Sequence, residues 1–287
     1  MRPADPWLGR EPVPLSRCGR CGSAVTGGPT PAGLYETGAY RPGRPRLHAA
    51  ARPLLAAFDR QRLSFIRALA PPGARLLDIG AGRGRFVAAA RTAGYQASGL
   101  EPAPRAEGPA VARAGVEDAD VPAGSVDAVT AWHVLEHLED PGAALARVAA
   151  WVRPGGGLLV GVPNLDSLQA RLGGEYWYHL DVPRHRVHFT PRGLEALLGS
   201  HGFCVRHIHH RLAEHNPFGM WQSLLSRATR HPSYVYNLLK RNAPLATPDL
   251  ALALAALPLL PVAALLELGA AQAGRGGTIA VVAQRAG

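Results

Sequence analysis

The segment LLDIGAGRGRF holds the residues whose types and spacing most clearly serve chemistry. Asp78 lies two residues before Gly80, and Gly82 and Gly84 follow at the same spacing, with Ala81 inside the turn. Glycine adopts backbone angles closed to other residues and lets the chain approach a ligand closely. A helix that begins after such a turn offers free N–H groups to an anion. The segment therefore predicts a turn that binds an anionic group, with Asp78 near enough to bind a cationic one.

A second carboxylate belongs to the same pattern. Glu101 stands 21 residues beyond Gly80, before Pro102, at the predicted end of the next strand. A carboxylate at that place can accept both hydroxyls of a ribose. Nicotinamide-binding folds use an acid there too, so Glu101 alone does not identify the cofactor. The turn is more informative, because dinucleotide-binding proteins usually have G-x-G-x-x-G, whereas this chain has D-x-G-x-G-x-G.

Titratable and aromatic side chains concentrate in two further segments, HVLEHL and EYWYHLDVPRHRVHFTP. Both follow predicted strands, where open α/β sheets bind their ligands. Histidine is the natural base near neutral pH, and aromatic rings can clamp an acceptor. Each histidine could equally be a hydrogen-bonded structural residue. The candidates are His133, Glu136 and His137 in the first segment, and Tyr176, Trp177, His179, His185 and His188 in the second.

The elements that must position these residues alternate along the chain. Short apolar runs predict strands, and amphipathic stretches between them predict helices. Such alternation is typical of an α/β fold, a parallel sheet with helices on both faces. Strands are predicted at 75–80, 95–102, 126–133, 157–163, 204–212 and 278–284, and helices at 53–69, 85–94, 141–152 and 191–202.

Taken together, these segments resemble the class I S-adenosylmethionine (SAM)-dependent methyltransferases. The stretch GSVDAVTAWHVLEHLEDP is similar to that family's fourth strand and the turn after it. RPGGGLLVGVPN is similar to its glycine turn and fifth strand, and HGFCV to the entry to its sixth. The resemblance covers about residues 53–212 and the last ten.

The resemblance implies a fold, a cofactor and binding residues. The fold is Rossmann-like, with a seven-stranded, mostly parallel sheet whose antiparallel last strand lies beside the sixth. The cofactor is SAM, bound by the glycine turn with Asp78, and by Glu101 with Pro102. The usual acid after the third strand is displaced here, so the residue that holds the adenine amino group stays open. The family also implies that Val116 and Glu117 flank the adenine and that Trp132 and His133 lie near the methionine end.

Both histidine-containing segments are also similar to a subgroup that includes the 3-demethylubiquinol O-methyltransferases. This similarity implies oxygen as the acceptor atom of a small or lipophilic molecule, with His137 as general base, then His185, then His133. Methyl transfer is an in-line displacement, so the enzyme must mainly exclude water, align the acceptor and remove its proton. We expect no metal in this chemistry. The acceptor-binding candidates are Tyr176, Trp177, His179 and His188.

The chain divides into four parts. Residues 1–45 are predicted to be irregular, 46–212 to form the SAM-binding domain, 213–276 a helical insertion and 277–287 the final strand. In the first part, Cys18 and Cys21 have the spacing of a zinc knuckle. Related methyltransferases often carry a complete zinc ribbon, and this segment resembles its second half alone. Zinc would therefore need histidines or another subunit, and a turn without metal is the interpretation we favour.

The insertion contains an uncharged run from Leu250 to Leu266. The run is slightly short of the roughly 20 residues that span a bilayer, and Pro258 and Pro261 interrupt its helix. Since the last strand returns to the sheet, both ends must lie on one side of any membrane. Two interpretations stay open: a shallow membrane contact, or an apolar cap over the active site or a dimer interface. The residues that would assist membrane contact are Trp221, Arg227, Arg230, Lys240 and Arg241.

Composition limits the class of protein and its partners. The chain is 47% hydrophobic and 18% charged, which excludes wholesale disorder. The net charge of +10 comes almost wholly from scattered arginines, so we expect no nucleic-acid partner. Three cysteines and a start without an apolar segment favour the cytoplasm, or the inner membrane face if the insertion binds lipid. A catalytically inactive SAM-binding partner subunit and an NAD(P)-dependent oxidoreductase are the alternative functions.

The cofactor assignment predicts the effect of removing Glu101. Glu101→Ala should weaken cofactor binding by about 1–3 kcal/mol, the cost of leaving ribose hydroxyls unpaired. Isothermal titration with S-adenosylhomocysteine measures the loss, and the same titration with NADH separates the oxidoreductase alternative. Wild-type affinity in the variant would contradict the role of Glu101.

Overall fold

A computed structural model describes residues 13–29, 48–103, 106, 110–239 and 243–287. Predictions for the rest of the 1–45 segment, and for Lys240 and Arg241, lie outside the described residues. The strands are β1 Leu15–Arg17, β2 Ala24–Thr26, β3 Arg75–Ile79, β4 Gln96–Leu100, β5 Val111–Ala112, β6 Val126–Trp132, β7 Val152–Pro163, β8 Val187–His188, β9 Phe203–His209 and β10 Thr278–Arg285. The helices are α1 His48–Arg67, α2 Arg85–Thr92, α3 Pro141–Trp151, α4 Leu168–Gly173, α5 Pro191–Ser200, α6 Asn216–Leu225, α7 Tyr234–Leu239, α8 Thr247–Ala255 and α9 Leu260–Gln272.

The main sheet has seven strands in the order β5-β4-β3-β6-β7-β10-β9. The pairs from β5 to β7 are parallel, and β10 runs antiparallel between β7 and β9. This confirms the predicted fold class and the place of the last strand. One strand differs: β7 begins at Val152 rather than 157, because Val152 pairs with Val126 across a register shift.

Helices cover both faces of this sheet and bury two apolar layers. On one face α3 and α5 contribute Leu145, Val148, Leu194 and Leu198 to a core with β6, β7 and β10. On the other, α1 and α2 contribute Ile66, Phe86 and Ala90. Strands buried on both faces carry continuous apolar runs, which is why the sequence pattern locates them.

The N-terminal strands differ from the predicted irregular structure. β1 and β2 form a hairpin, and β8 joins it to make a three-stranded sheet. The hydroxyl of Thr26 donates to the carbonyl oxygen of His185 at 2.6 Å and lies 2.9 Å from Nε2 of His188. Both partners lie about 160 residues further along the chain, so no local pattern could predict the pairing.

The insertion between β9 and β10 is helical, as predicted. Its helices α6, α8 and α9 share a small apolar core built on Met220, Trp221 and Ala263. Asn216 attaches the insertion to the sheet, because its Oδ1 accepts from the N–H of Thr278 at 2.8 Å. The insertion therefore packs as part of the domain.

The contribution of His188 to folding stability depends on pH. Burial lowers the pKa of its imidazole from 6.5 to about 4. In that window the unfolded chain binds a proton that the folded chain does not, so folding stability falls as pH falls, by up to about 1.4 kcal/mol per pH unit. We expect His188→Gln, which keeps a polar group facing Thr26, to lose less unfolding free energy than wild type between pH 6.5 and about 4. Urea unfolding at several pH values measures the difference, and equal losses would contradict it.

Candidate active site

The glycine turn follows β3 and requires glycine by its geometry. Gly80, Gly82 and Gly84 have φ angles of +73°, +57° and +74°, the left-handed region that side chains disfavour. A Cβ on Gly80 would lie 2.4 Å from Cγ2 of Val134. The turn therefore packs directly against the loop after β6, and α2 begins at Arg85 immediately beyond it.

Glu101 lies at the carboxyl end of β4 and is 2% exposed. Its Oε2 accepts from the N–H of Gly82 at 2.8 Å, and its Oε1 accepts from the N–H of Ala103 at 3.0 Å. The acid is therefore fixed beside the glycine turn, where the sequence predicts it.

Asp78 is buried at the end of β3 beside a cation that sequence reasoning missed. Its Oδ1 accepts from Nη2 of Arg62 at 3.0 Å and from the hydroxyl of Thr130 at 2.5 Å. Burial raises the pKa of the Asp78 carboxyl, and Arg62 and Thr130 offset this only in part. Arg62 is itself buried, lies 3.8 Å above the Phe86 ring, and has an Nε without a partner among the described residues. An arginine on an amphipathic helix is ordinarily exposed, so no sequence signal marked it.

His133 and Glu136 form an acid–histidine pair directly after β6. His133 has a φ of +55°, a conformation that is uncommon for non-glycine residues. Its Nδ1 lies 2.7 Å from Oε1 of Glu136, which is 1% exposed. Burial alone would raise the pKa of Glu136, but His133, His137 and His185 outweigh burial and lower the pKa to about 2. Glu136 is therefore ionised, and the Nε2 of His133 is buried without a partner among the described residues.

The other two predicted bases, His137 and His185, lie next to each other with ring centroids 4.6 Å apart. Nδ1 of His137 is 3.2 Å from the carbonyl oxygen of Arg184, and Nδ1 of His185 is 2.8 Å from that of His179. Burial lowers the pKa of His185 well below 6.5, so its ring is neutral at pH 7. Donor atoms of Glu136, His137 and His185 lie within 4.8 Å of one another, which is the grouping among the described residues that could hold a cation.

Aromatic rings surround His133. His179 stacks on it with centroids 5.9 Å apart, and Tyr178 lies 4.6 Å from His179. The insertion adds His215, whose ring centroid is 4.3 Å from that of His133. Burial lowers the pKa of His179 well below its ordinary value, so a neutral ring faces the pair. Sequence reasoning missed Tyr178 and His215 as individual residues. It did predict that aromatic rings of the segment 175–191 contribute to the site. We call the rings of Tyr178, His179 and His215 the ring wall.

The remaining predicted residues have varied environments. Trp132 is partly buried, with its ring 4.8 Å from the Arg62 guanidinium and its Nε1 without a partner in the described chain. Val116 is buried, whereas Glu117 and Pro102 are exposed. Trp177 is buried and Tyr176 is partly exposed in the turn Gly174–Tyr176. His188 faces Thr26 in the three-stranded sheet.

Cys18 and Cys21 lie in the turn between β1 and β2. Backbone N–H groups of Cys21 and Arg20 lower the pKa of the Cys18 thiol. Within the described ranges no third cysteine, histidine or carboxylate lies close enough to complete a metal site with them. The turn without metal stays a prediction.

Residues 48–208 match the protein family described as a methyltransferase domain. The chain belongs to this family. A ubiquinone biosynthesis O-methyltransferase of Xanthomonas axonopodis pv. citri (strain 306) is 33% identical over 183 residues, which are 56% of this chain and 75% of that protein. Another, of Xanthomonas campestris pv. campestris, is 35% identical over 155 residues, which are 47% of this chain and 63% of that protein.

Solved structures share the fold of this methyltransferase. A putative sarcosine dimethylglycine methyltransferase from Galdieria sulphuraria has a TM-score of 0.52 and 14% identity, covering 83% of this chain and 88% of that one. The [4+2]-cyclase SpnF has a TM-score of 0.51 and 17% identity, covering 79% of this chain and 80% of that one. These likenesses show the Rossmann-like fold alone. Because one neighbour is a cyclase, the fold does not determine the reaction.

The glycine turn and its charges fit SAM, the cofactor of class I methyltransferases. SAM carries a carboxylate, an ammonium group and a ribose. The buried guanidinium of Arg62 has an unpartnered Nε, which suits a carboxylate. Asp78 suits an ammonium, and Glu101 beside the turn suits ribose hydroxyls. A Cβ on Gly80 would push Val134 aside, so the methyltransferase has no room for a side chain at position 80 of this turn.

Replacing Gly80 tests the turn against a matched glycine. Gly124 has a φ of +62° with nothing within 4 Å of an added Cβ, so Gly124→Ala should cost only the backbone term, about 1 kcal/mol. Gly80→Ala should cost about 1–3 kcal/mol more, because Val134 must move, and should lower S-adenosylhomocysteine affinity about tenfold or more. Urea unfolding and isothermal titration measure both effects. Equal stability and equal affinity in the two variants would contradict the tight packing.

Proposed function

We propose that this methyltransferase moves the methyl group of SAM to an oxygen atom of a small or lipophilic acceptor, and that His133, oriented by Glu136, takes the acceptor's proton. The observation that carries the proposal is the buried His133–Glu136 pair with its unpartnered Nε2. The ubiquinone biosynthesis relatives are O-methyltransferases, which supports oxygen as the acceptor atom.

The tautomer of His133 follows from its partner. An ionised carboxylate only accepts hydrogen bonds, so Nδ1 of His133 carries the proton of this hydrogen bond, and in the neutral ring Nε2 is then the atom with the lone pair. An acid that fixes a histidine in this way is the arrangement that hydrolases use to orient a general base. His133 is therefore the histidine, of the three predicted bases, whose orientation toward a substrate proton the structure best supports.

The surroundings favour a proton-accepting role for His133. The ring of His179 is neutral because burial lowers its pKa, so it adds no repelling charge when His133 is protonated. Glu136 then stabilises the imidazolium that forms. His137 and His185 bond through Nδ1 to backbone carbonyls, and we assign them to orient the loop before β8 and to line the acceptor side.

Each buried group has a distinct part in the proposed reaction. SAM supplies an electrophilic methyl group on a sulfonium when bound. Arg62 and Asp78 would hold its amino-acid end, and Glu101 its ribose. The ring wall of Tyr178, His179 and His215 would exclude water and align the acceptor, while Nε2 of His133 receives the proton. Displacement then needs alignment and proton removal, which these residues provide.

Replacing the pair separates chemistry from cofactor binding. His133→Gln should lower kcat by about 10²–10⁴-fold and leave S-adenosylhomocysteine affinity within about twofold of wild type. Glu136→Gln should also lower kcat. A glutamine amide can donate as well as accept a hydrogen bond, so it no longer fixes the tautomer of His133. Turnover of a panel of phenols, catechols and amines is measured by mass spectrometry as the gain of one methylene unit.

His137→Gln and His185→Gln test the other two predicted bases. If His137→Gln slowed turnover more than His133→Gln did, the base would be His137. Transfer to the amines alone would contradict oxygen as the acceptor atom. If wild type bound the cofactor and methylated nothing in the panel or in host extracts, the inactive partner subunit would replace this proposal.

A further inference from the structure

The outer face of the insertion is apolar. α8 and α9 form a pair of helices bent by 43° at the turn between them; we call this pair, residues 247–272, the apolar hairpin. Its large apolar side chains that face solvent are Leu254, Leu257, Leu259, Leu260, Val262, Leu265 and Leu266. Leu259 is 59% and Leu265 is 68% exposed. A helix that is apolar on its inner and outer faces is ordinarily covered on both, and an exposed apolar patch marks an interaction surface.

The two ionisable residues of the apolar hairpin both face the protein. Asp249 is 2% exposed and accepts from the backbone N–H of Arg230 at 2.9 Å, with Nδ1 of His231 at 2.7 Å. Glu267 is 2% exposed and accepts from the N–H of Gly277 at 2.6 Å and from Gln169 at 2.9 Å. The outer face of the apolar hairpin therefore carries no charge, because both acidic residues of the hairpin are on its inner side.

Exposed arginines lie on the elements around this face. Arg275 borders an open groove of about 490 Å³ that Leu168, Val262 and Leu265 also line. Nη1 of Arg227 donates to the carbonyl oxygen of Leu172 in α4 at 3.0 Å. None of these arginines forms an ion pair with a described residue. They are Arg171, Arg227, Arg230 and Arg275.

The hairpin meets the requirements of a shallow membrane segment better than those of a span. Among the described residues no single helix is both long and apolar enough to cross a bilayer, whereas α8 and α9 together reach that length and composition with a bend of 43°. The insertion leaves from β9 and returns to β10 in one sheet. The insertion therefore has both of its ends on one side of any membrane. With its uncharged outer face it fits the interfacial region of a bilayer.

We propose that the apolar hairpin inserts into the surface of an anionic lipid bilayer, with the four arginines on the headgroup phosphates. Each arginine near an anionic surface contributes attraction, and the leucines enter the acyl boundary. A second copy of the chain fits this face less well. A two-fold contact through the hairpin would bring two sets of the same arginines together, whereas anionic headgroups neutralise them.

Cosedimentation with vesicles tests the proposal on the full chain. Wild type should bind vesicles of equal phosphatidylcholine and phosphatidylglycerol, and should bind pure phosphatidylcholine vesicles much less. Leu259→Gln with Leu265→Gln should weaken binding about tenfold or more, since two buried leucines are lost from the acyl boundary. Arg227→Gln with Arg230→Gln should remove most of the preference for the anionic lipid. The two single leucine variants, each with a smaller loss, serve if the double variant misfolds.

Leu54→Gln is the matched control, because Leu54 is 57% exposed on α1, outside the hairpin. It should bind vesicles as wild type does, and all variants should keep wild-type affinity for S-adenosylhomocysteine, a readout independent of the acceptor. Two outcomes would overturn the proposal: wild type that binds neither vesicle, or a leucine double variant that binds as wild type does. Light scattering distinguishes the other occupant, since a wild-type dimer that the leucine changes convert to monomer would assign the face to a second copy.

Discussion

A buried negative charge, that of Glu136, determines how the turn after β6 and the loop before β8 are held together. Burying an isolated carboxylate costs several kcal/mol unless partners surround it, and the partners here are His133, His137 and His185. The first two share the turn after β6 with the acid, and the third comes from the loop before β8. The backbone N–H of Arg186 donates to the carbonyl oxygen of Glu136 at 2.6 Å and holds the same loop. One residue thus joins two segments that are distant in the chain, through both its backbone and its charge.

Two buried acids, Asp78 and Glu136, lie near the carboxyl ends of the neighbouring strands β3 and β6 and have different kinds of partner. Asp78 pairs with Arg62, a cation that does not release its proton, and burial still raises the pKa of this acid. Glu136 faces the imidazoles of His133, His137 and His185, and its pKa is lowered to about 2. Groups whose environments move their pKa values apart are how one site supports two roles.

The parts of the site that the sequence predicts are those set by neighbours in the chain. The glycine turn, Asp78 and Glu101 follow from spacing along two strands, and the structure places Glu101 against Gly82 as that spacing requires. Arg62 depends on which face of α1 packs over β3, and His215 on how the insertion returns, and neither is a local property. The ranking of His137 before His133 rested on a family resemblance, which carries no information on the left-handed backbone at His133 that points its ring toward Glu136.

The insertion differs from the rest of the chain in composition, but it is not a structurally separate unit. Asn216 holds the start of β10 through the N–H of Thr278, and its Nδ2 donates to the carbonyl oxygen of His210 at 2.9 Å. Gln169 of α4 donates to both Asn216 and Glu267, so the buried side of the insertion is bonded to the catalytic domain. His215 from the same segment contacts His133. Deleting the segment would therefore remove these hydrogen bonds and the ring beside His133 together with the apolar outer face. The role of the outer face can therefore be tested apart from catalysis only by replacing its solvent-exposed side chains.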